Sequence, residues 1–397
     1  MKVYTCTPKN FPADEDSFFS RESGLFCRAL QSLGFDSKSV LLLPKYPQDG
    51  LGVLRGTYQE LCDPVWWRAL QLDGLILYSW AAPQYNAVAM AVHQAGIPAV
   101  VYMDTCGLVS RLGNRKGWWC HAWRPSWAKS GNIALRIYSL TKFFIDTALL
   151  ITPRRRLRHL ACGHAITLPT RSGVIWMKRE VSLLGRPDLV DKIHYSPHPQ
   201  KELFRYDGTH KENVVLCVAR FLREDWPQKR PALLIQSLNA FLAKNHDWRA
   251  VVVGRGASTL ANNLGLHAHA AIRFEENLAH RDLVGLYQKA KIGFWTSLWE
   301  GQQGTAAQSL CCGCSVVAPS SPLNSCFEDY VSQSSGRLAT DSSVTCLTEA
   351  LSLEAQEWAQ GFRLPDKISL FWSSLLHGRQ RASAVLKLLD IPLPENP

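Results

Sequence analysis

Glu300 is the single carboxylate in the loop Leu298–Gly304, and the residues around it could bind a polar, oxygen-rich ligand. The run IGFWTS, from Ile292, reads as a buried parallel strand. A helix of small and apolar residues begins at Thr305 and stops at Gly313, and SVVAP makes a second buried strand. The loop therefore lies where a strand's carboxyl end meets a helix's amino end, the crevice in which open parallel sheets take ligands. Gly301 and Gly304 let backbone approach a ligand closely. The amides around Gln302, Gln303, Gly304 and Thr305 attract anions or hydroxyl oxygens. Gln308 follows Glu300 by about two helical turns.

A second junction of the same kind supplies cations. Asn213–Val218 reads as a strand leading into Ala219-Arg220-Phe221-Leu222 and then Gln228-Lys229-Arg230-Pro231. An arginine fork with a lysine ammonium suits a diphosphate, and Arg223 and Arg230 are substitutes in that role.

These stretches, with Cys312-Gly313-Cys314-Ser315-Val316-Val317, resemble the signature of retaining glycosyltransferases of family 4. That pattern has a Glu, then Gly, an aromatic, Gly, and a second Glu eight positions after the first. Here Gln308 stands for the second Glu, Gln302-Gln303 for the aromatic-glycine pair, and Gly304 falls one place late. Ala219 replaces the glycine of a Gly-Arg-Leu motif, and Gly254-Arg255-Gly256 is similar to the family's glycine pair. The usual His after an amino-half strand is absent, its place held by Asp104-Thr105-Cys106.

The resemblance implies a GT-B architecture: an α/β chain with two Rossmann-like domains facing a cleft. An acceptor-side domain would span 1–204, ending at the linker-like Phe204, and a nucleotide-sugar-binding domain 205–365. A carboxy-terminal helix, 366–397, would pack back on the first domain. It further implies metal-independent transfer of a sugar from a UDP- or GDP-linked nucleotide-sugar, with retention of configuration, to an acceptor that is a glycan, lipid or small molecule. No metal ligands and no cofactor besides this co-substrate are assigned. In that scheme Glu300 is the catalytic carboxylate holding donor sugar hydroxyls, and Arg220 and Lys229 neutralise the diphosphate. The amides of Gly301, Gln302, Gln303, Gly304 and Thr305 bind sugar or phosphate oxygens, Gln308 binds ribose, and Phe274 lies on the strand AIRF that borders the base. Gly24 and Asp104 are the acceptor-side candidates.

The elements that must position these residues alternate. Residues 1–10, Ser39–Leu43, Asp73–Tyr78, Ile97–Met103, Ala148–Thr152 and Lys192–Tyr195 read as strands in the first half. Helices are expected from Gly24 to a cap at Gly34, over Tyr85–Gln94 and over Arg154–Cys162. In the second half AVVV (Ala250–Val253) and AIRF follow as strands, and Leu370–Leu389 is expected as one final amphipathic helix. Such alternation indicates parallel sheets with helical crossovers.

The 397 residues are 46% apolar and 19% charged, which describes a globular chain with ample core. No run reaches the roughly 18 apolar residues of a membrane span, and MKVYTCTPKN lacks an apolar signal core, so a cytoplasmic protein is expected. The 12 cysteines have no secreted-scaffold spacing; Cys311-Cys312-Gly313-Cys314 reads as small buried side chains at a helix's carboxyl end, not a redox pair. Asp14-Glu15-Asp16 reads as solvated, not as a metal motif. The net charge of +11 implies acidic partners. Between Ser110 and Cys162 cations from Arg111 to Arg158 mix with Trp118, Trp119, Trp123 and Trp127, and Asp146 is the only carboxylate. That mixture fits peripheral attachment to an anionic membrane, or a core of tryptophans under a solvated face, better than nucleic acid. Two other readings are a GT-B-like protein that binds a nucleotide-sugar or glycan without catalysis, and a basic membrane or nucleic-acid adaptor.

Overall fold

A computed structural model describes residues 1–15, 17–20, 22–104, 110–119, 133–276, 278–320 and 325–394. It divides into two compact units, Met1–Lys201 with Gly378–Pro397, and Glu202–His377. In the first, β1 (Val3–Cys6), β2 (Ser39–Leu42), β3 (Val53–Gly56), β4 (Gly74–Leu77), β5 (Ala99–Tyr102), β6 (Ala165–Leu168) and β7 (Ile193–Tyr195) form a parallel sheet ordered β3-β2-β1-β4-β5-β6-β7. In the second, β8 (Glu212–Val218), β9 (Arg249–Val253), β10 (Ile272–Glu275), β11 (Ala290–Phe294), β12 (Ser315–Pro319) and β13 (Gly336–Ala339) run parallel in the order β10-β9-β8-β11-β12-β13.

The strands are apolar on both faces because helices cover both. Leu75 enters one apolar cluster and its neighbour Ile76 the other; Val215 and Leu216 divide in the same way in the second unit. Strand order reverses between β1 and β4 and between β8 and β11, so each unit has a crevice at the carboxyl ends of that pair.

Two sequence expectations fail. Ala148–Thr152 is not a strand: it spans the end of the helix Ile133–Leu149 and the start of the helix Ile151–Ala161, joined at the left-handed Leu150. Pro153 is tolerated in the second helix's first turn, and the strand of this region is β6. The last helix is two, Pro365–Leu376 and Gly378–Lys387, broken where His377 is extended. The first packs within the second unit, with Ser369 donating to the Cys311 carbonyl at 2.5 Å. The second packs on the helix Glu22–Ser32, where Gly378 brings its backbone close to Ala29, and Ala382, Val385 and Leu386 join Phe26 and Tyr102 in the core.

One buried network in the first unit is pH-sensitive. The His159 ring, fully buried, bonds Ser79 Oγ through Nε2 at 2.6 Å and Asn86 Oδ1 through Nδ1 at 3.2 Å. Burial, helped by the Arg156 charge, lowers its pKa from 6.5 to about 4. The unfolded chain takes this proton as pH falls below about 6.5, whereas the folded chain refuses it until about 4. Stability contributed above pH 6.5 is therefore lost across that window, by about 2–3 kcal/mol near pH 4.5. Denaturant unfolding of the parent and His159→Gln should show a gap that narrows between pH 7.5 and 4.5. A gap constant with pH would remove His159 as the source.

Candidate active site

In the second unit two loops meet at the reversal of strand order. The chain leaving β8 runs to Lys229, and the chain leaving β11 runs to Glu300. Lys229 Nζ donates to Glu300 Oε1 at 2.5 Å, with both side chains more than nine-tenths buried. Gln228 Nε2 donates to the other oxygen, Oε2, at 3.2 Å and to the Trp299 carbonyl at 2.9 Å. Gln303 completes the cluster. With the amide oriented to suit its neighbours it donates to Glu300 Oε2 at 3.2 Å and accepts from Trp295 Nε1 at 3.1 Å. Three of the carboxylate's roughly four acceptor positions are thus filled from within the protein.

The loops are fastened by their backbones as well. Leu298 N donates to the Gln228 carbonyl at 2.7 Å, and Thr296 Oγ1 to the Lys229 carbonyl at 2.9 Å. Arg230 is spent here: left-handed and half-buried, it donates through Nε to the Thr296 carbonyl at 2.7 Å. Burial lowers its pKa to about 10. The expectation that Arg230 could stand in as a phosphate ligand is corrected, because its guanidinium faces carbonyls of the loop.

The helix Gly304–Cys311 begins beside this cluster with no side chain capping it, and a Cβ built at Gly304 would meet open space. Its first turn is an amide-lined approach for anionic oxygen. Thr305 Oγ1 donates to the Val218 carbonyl at 2.9 Å, tying the helix to the end of β8. On the next turn the Gln308 side-chain oxygen is buried with no hydrogen-bond partner among the described residues, an acceptor lacking its donor. Gly301 is buried and Gln302 half-buried in the same loop.

Arg220 does not join the cluster. Its side chain is 70% exposed on the loop after β8, and its NH2 lies 3.3 Å from Asp225 Oδ1. Phe274, on β10, packs half-buried against the apolar layer that includes Leu234 and Val252. The glycine pair after β9 is already engaged: Glu276 accepts from the amides of Gly256 (2.6 Å) and Ser258 (3.1 Å). Gln228 and Glu276 escaped the sequence reading. The position of Gln228 beside Lys229 was the available signal for one; nothing local marked the other.

In the first unit Gly24 is buried, and a Cβ there would sit 2.3 Å from the Phe18 carbonyl oxygen. Its missing side chain makes room for the chain's own backbone, which removes the reason for reading it as a ligand approach. Asp104 follows β5, and Asp104 Oδ1 stands 3.9 Å from His198 Nε2. His198 also packs over Tyr78 and Tyr102, with ring centroids 5.9 and 5.5 Å away. A histidine thus reaches Asp104 from 94 residues further along the chain, which no local motif announces. Thr105 and Cys106 lie outside the described residues.

The cysteine-rich run is inert. Cys311, Cys312 and Cys314 are buried, and burial pushes the Cys311 thiol up to about 12 and raises the other two. Asp14 accepts from the Ser17 amide at 2.6 Å and Glu15 pairs with Arg28, while Asp16 lies outside the described residues. Among the described residues no three His, Cys, Asp or Glu side chains gather as metal ligands.

Residues 212–353, which hold both loops of the cluster, match the profile of glycosyl transferases group 1. The chain is a glycosyltransferase. None of the curated proteins matches it in sequence. Among solved structures, Alr3699/HepE of Anabaena in complex with UDP is similar at 13% identity and a TM-score of 0.64, over 98% of this chain and 100% of that one. Sucrose-phosphate synthase from Thermosynechococcus elongatus is similar at 13% identity and a TM-score of 0.58, over 98% of each chain. The lipopolysaccharide outer core galactosyltransferase WaaB is similar at 11% identity and a TM-score of 0.59, over 98% of this chain and 99% of that one. At such identities the likeness speaks for the fold: the glycosyltransferase has the GT-B fold, with two Rossmann-like domains.

Proposed function

We propose that this glycosyltransferase moves a sugar from a nucleotide-sugar donor with retention of anomeric configuration, as the likeness to family 4 implies. The observation that carries the proposal is the meeting of Lys229 and Glu300 at 2.5 Å, at the carboxyl ends of the two strands where the order reverses. Lys229, the exposed Arg220 and the amides opening the Gly304 helix supply positive charge for a departing diphosphate. Glu300 keeps one acceptor position for a sugar hydroxyl, and the unpartnered oxygen of Gln308 awaits a ribose hydroxyl. Gly301, Gln302, Gln303 and Thr305 shape the same loop, and Phe274 borders the base.

UDP is the first nucleotide to try, because the similar Anabaena protein has been crystallised with UDP and with UDP-glucose; GDP-sugars are the comparison. The acceptor is a glycan, lipid or small molecule. A thermal-shift panel of nucleotide-sugars tests donor choice, since ligand at about 100 times its Kd adds roughly 2.7 kcal/mol of stability. Sugar release or transfer in the same samples tests catalysis. Donor stabilisation with neither would count against retaining transfer from that donor.

Arg220→Ala should weaken UDP binding about ten- to a hundredfold, the worth of one charge-assisted hydrogen bond. It should leave unfolding unchanged, because the side chain is exposed. Calorimetry with free UDP checks it, and parental affinity would remove Arg220 from the site.

The proposal extends to place. Between Ser110 and Cys162 the one carboxylate, Asp146, pairs with Arg111, which leaves the cations of the tract in excess for an anionic membrane surface.

A further inference from the structure

We infer that the helix Ile133–Leu149 lies in the plane of an anionic membrane leaflet with its outer face buried among the lipids, an inference that rests on the peripheral attachment just proposed. The inner face of this helix is fixed to the first unit. Phe143 stacks on Trp118 with ring centroids 4.5 Å apart, and Asp146 accepts from Arg111 and, at 2.7 Å, from the Thr152 amide. The opposite face carries Ile133, Ile137, Tyr138, Phe144, Ile145 and Leu149, each between 50 and 74% exposed. At 100° per residue these six fall within one sector of roughly 160°, and Leu135, 55% exposed, lies about 40° beyond its edge. Single exposed apolar side chains are ordinary, whereas a whole contiguous face is an interaction surface.

Charge and length choose the occupant. Lys142 borders the face, and Arg154, Arg155 and Arg158 are exposed on the helix that follows. The segment that grips the inner face also contributes Leu112 and Arg115 to an open groove of about 400 Å³, shared with Arg179 and Leu183. An apolar strip with cations around it and its only carboxylate neutralised matches a leaflet with anionic headgroups; a protein partner or a second copy would have to bring matching acidic groups. At 17 residues the helix is about 25 Å long. No described helix is long and apolar enough to cross a membrane. It therefore lies along the interface, its apolar side about 5–10 Å below the headgroups.

Flotation of the full chain with phosphatidylcholine vesicles, with and without 30 mol% phosphatidylglycerol, tests this in parallel with Ile137→Glu/Phe144→Glu. The parent should float with the anionic vesicles, and the double variant should lose at least about tenfold of that binding. The variant should keep the parent's thermal shift with UDP, which certifies its fold. A double variant that floats as well as the parent would overturn the insertion and leave only the attraction of the cations. A parent that ignores anionic vesicles would overturn both insertion and peripheral attachment. Light scattering that finds a dimeric parent and a monomeric variant without lipid would overturn it too, in favour of a second copy on this face.

Discussion

Glu300→Gln is expected to cut turnover at least about a hundredfold while UDP binding is retained or strengthened. The substitution keeps the shape of a side chain held from both oxygens, by Lys229 on one side and Gln228 and Gln303 on the other. It removes the negative charge beside a sugar ring on which positive charge develops as the diphosphate departs. It also frees the Lys229 ammonium from its counter-ion, so that the lysine turns more readily to the diphosphate. Steady-state kinetics beside calorimetry with free UDP separates the two effects, since an interaction made only in the transition state lowers kcat without weakening the ground-state ligand. A fully active Glu300→Gln enzyme would show that the carboxylate charge has no part in turnover.

Lys229→Ala should do more damage to the fold. Glu300 is 5% exposed, and removing its partner strands a buried carboxylate, which costs about 3–5 kcal/mol. Against the roughly 5–15 kcal/mol that holds a typical domain together, this is a large share. UDP affinity should fall with it. Lys229→Ala/Glu300→Gln removes both charges and should recover part of the lost stability, yet show no activity. Urea unfolding of the two single variants, the double variant and the parent closes a cycle whose coupling term isolates the pair. Additive changes in stability would mean the two residues do not depend on each other.

The second unit was legible because its chemistry is local. The strand, loop, helix and strand around Glu300 occupy 30 consecutive residues, Ala290 to Pro319, and β12 falls on the five residues of SVVAP. The cations after β8 could be proposed from a strand–loop junction alone. What could not be read is which cation does what. Arg230 and Lys229 are neighbours in sequence, but one faces carbonyls and the other a carboxylate, a choice made by the left-handed turn at Arg230. In the first unit the apolar, β-branched run Ala148–Thr152 looked like a strand because its composition suits one; the helices on either side of Leu150 decided otherwise. The pairing of His198 with Asp104 depends on how far β7 brings the chain back, which no spacing encodes. The Ile133 helix was hidden inside a tract whose cations drew the eye, although its outward apolar side chains are the stronger statement. Trp118 turned out to be core and Trp119 is 43% exposed, whereas Trp123 and Trp127, with Arg124 and Lys129, lie outside the described residues.

The return of the chain at Gly378 sets an order of manufacture. Ala382, Val385, Leu386, Leu389 and Ile391 complete the apolar layer that holds Phe26, Tyr78 and Tyr102. A ribosome working from the amino terminus delivers the strands of the first unit early, then all of the second unit, and only afterwards these closing residues. At bacterial and eukaryotic elongation rates the wait is roughly ten to forty seconds. Through that interval the nascent first unit lacks the closing residues of its aromatic layer, and the second unit is complete in sequence before they arrive. Translation itself thus makes the first-born unit the last to mature.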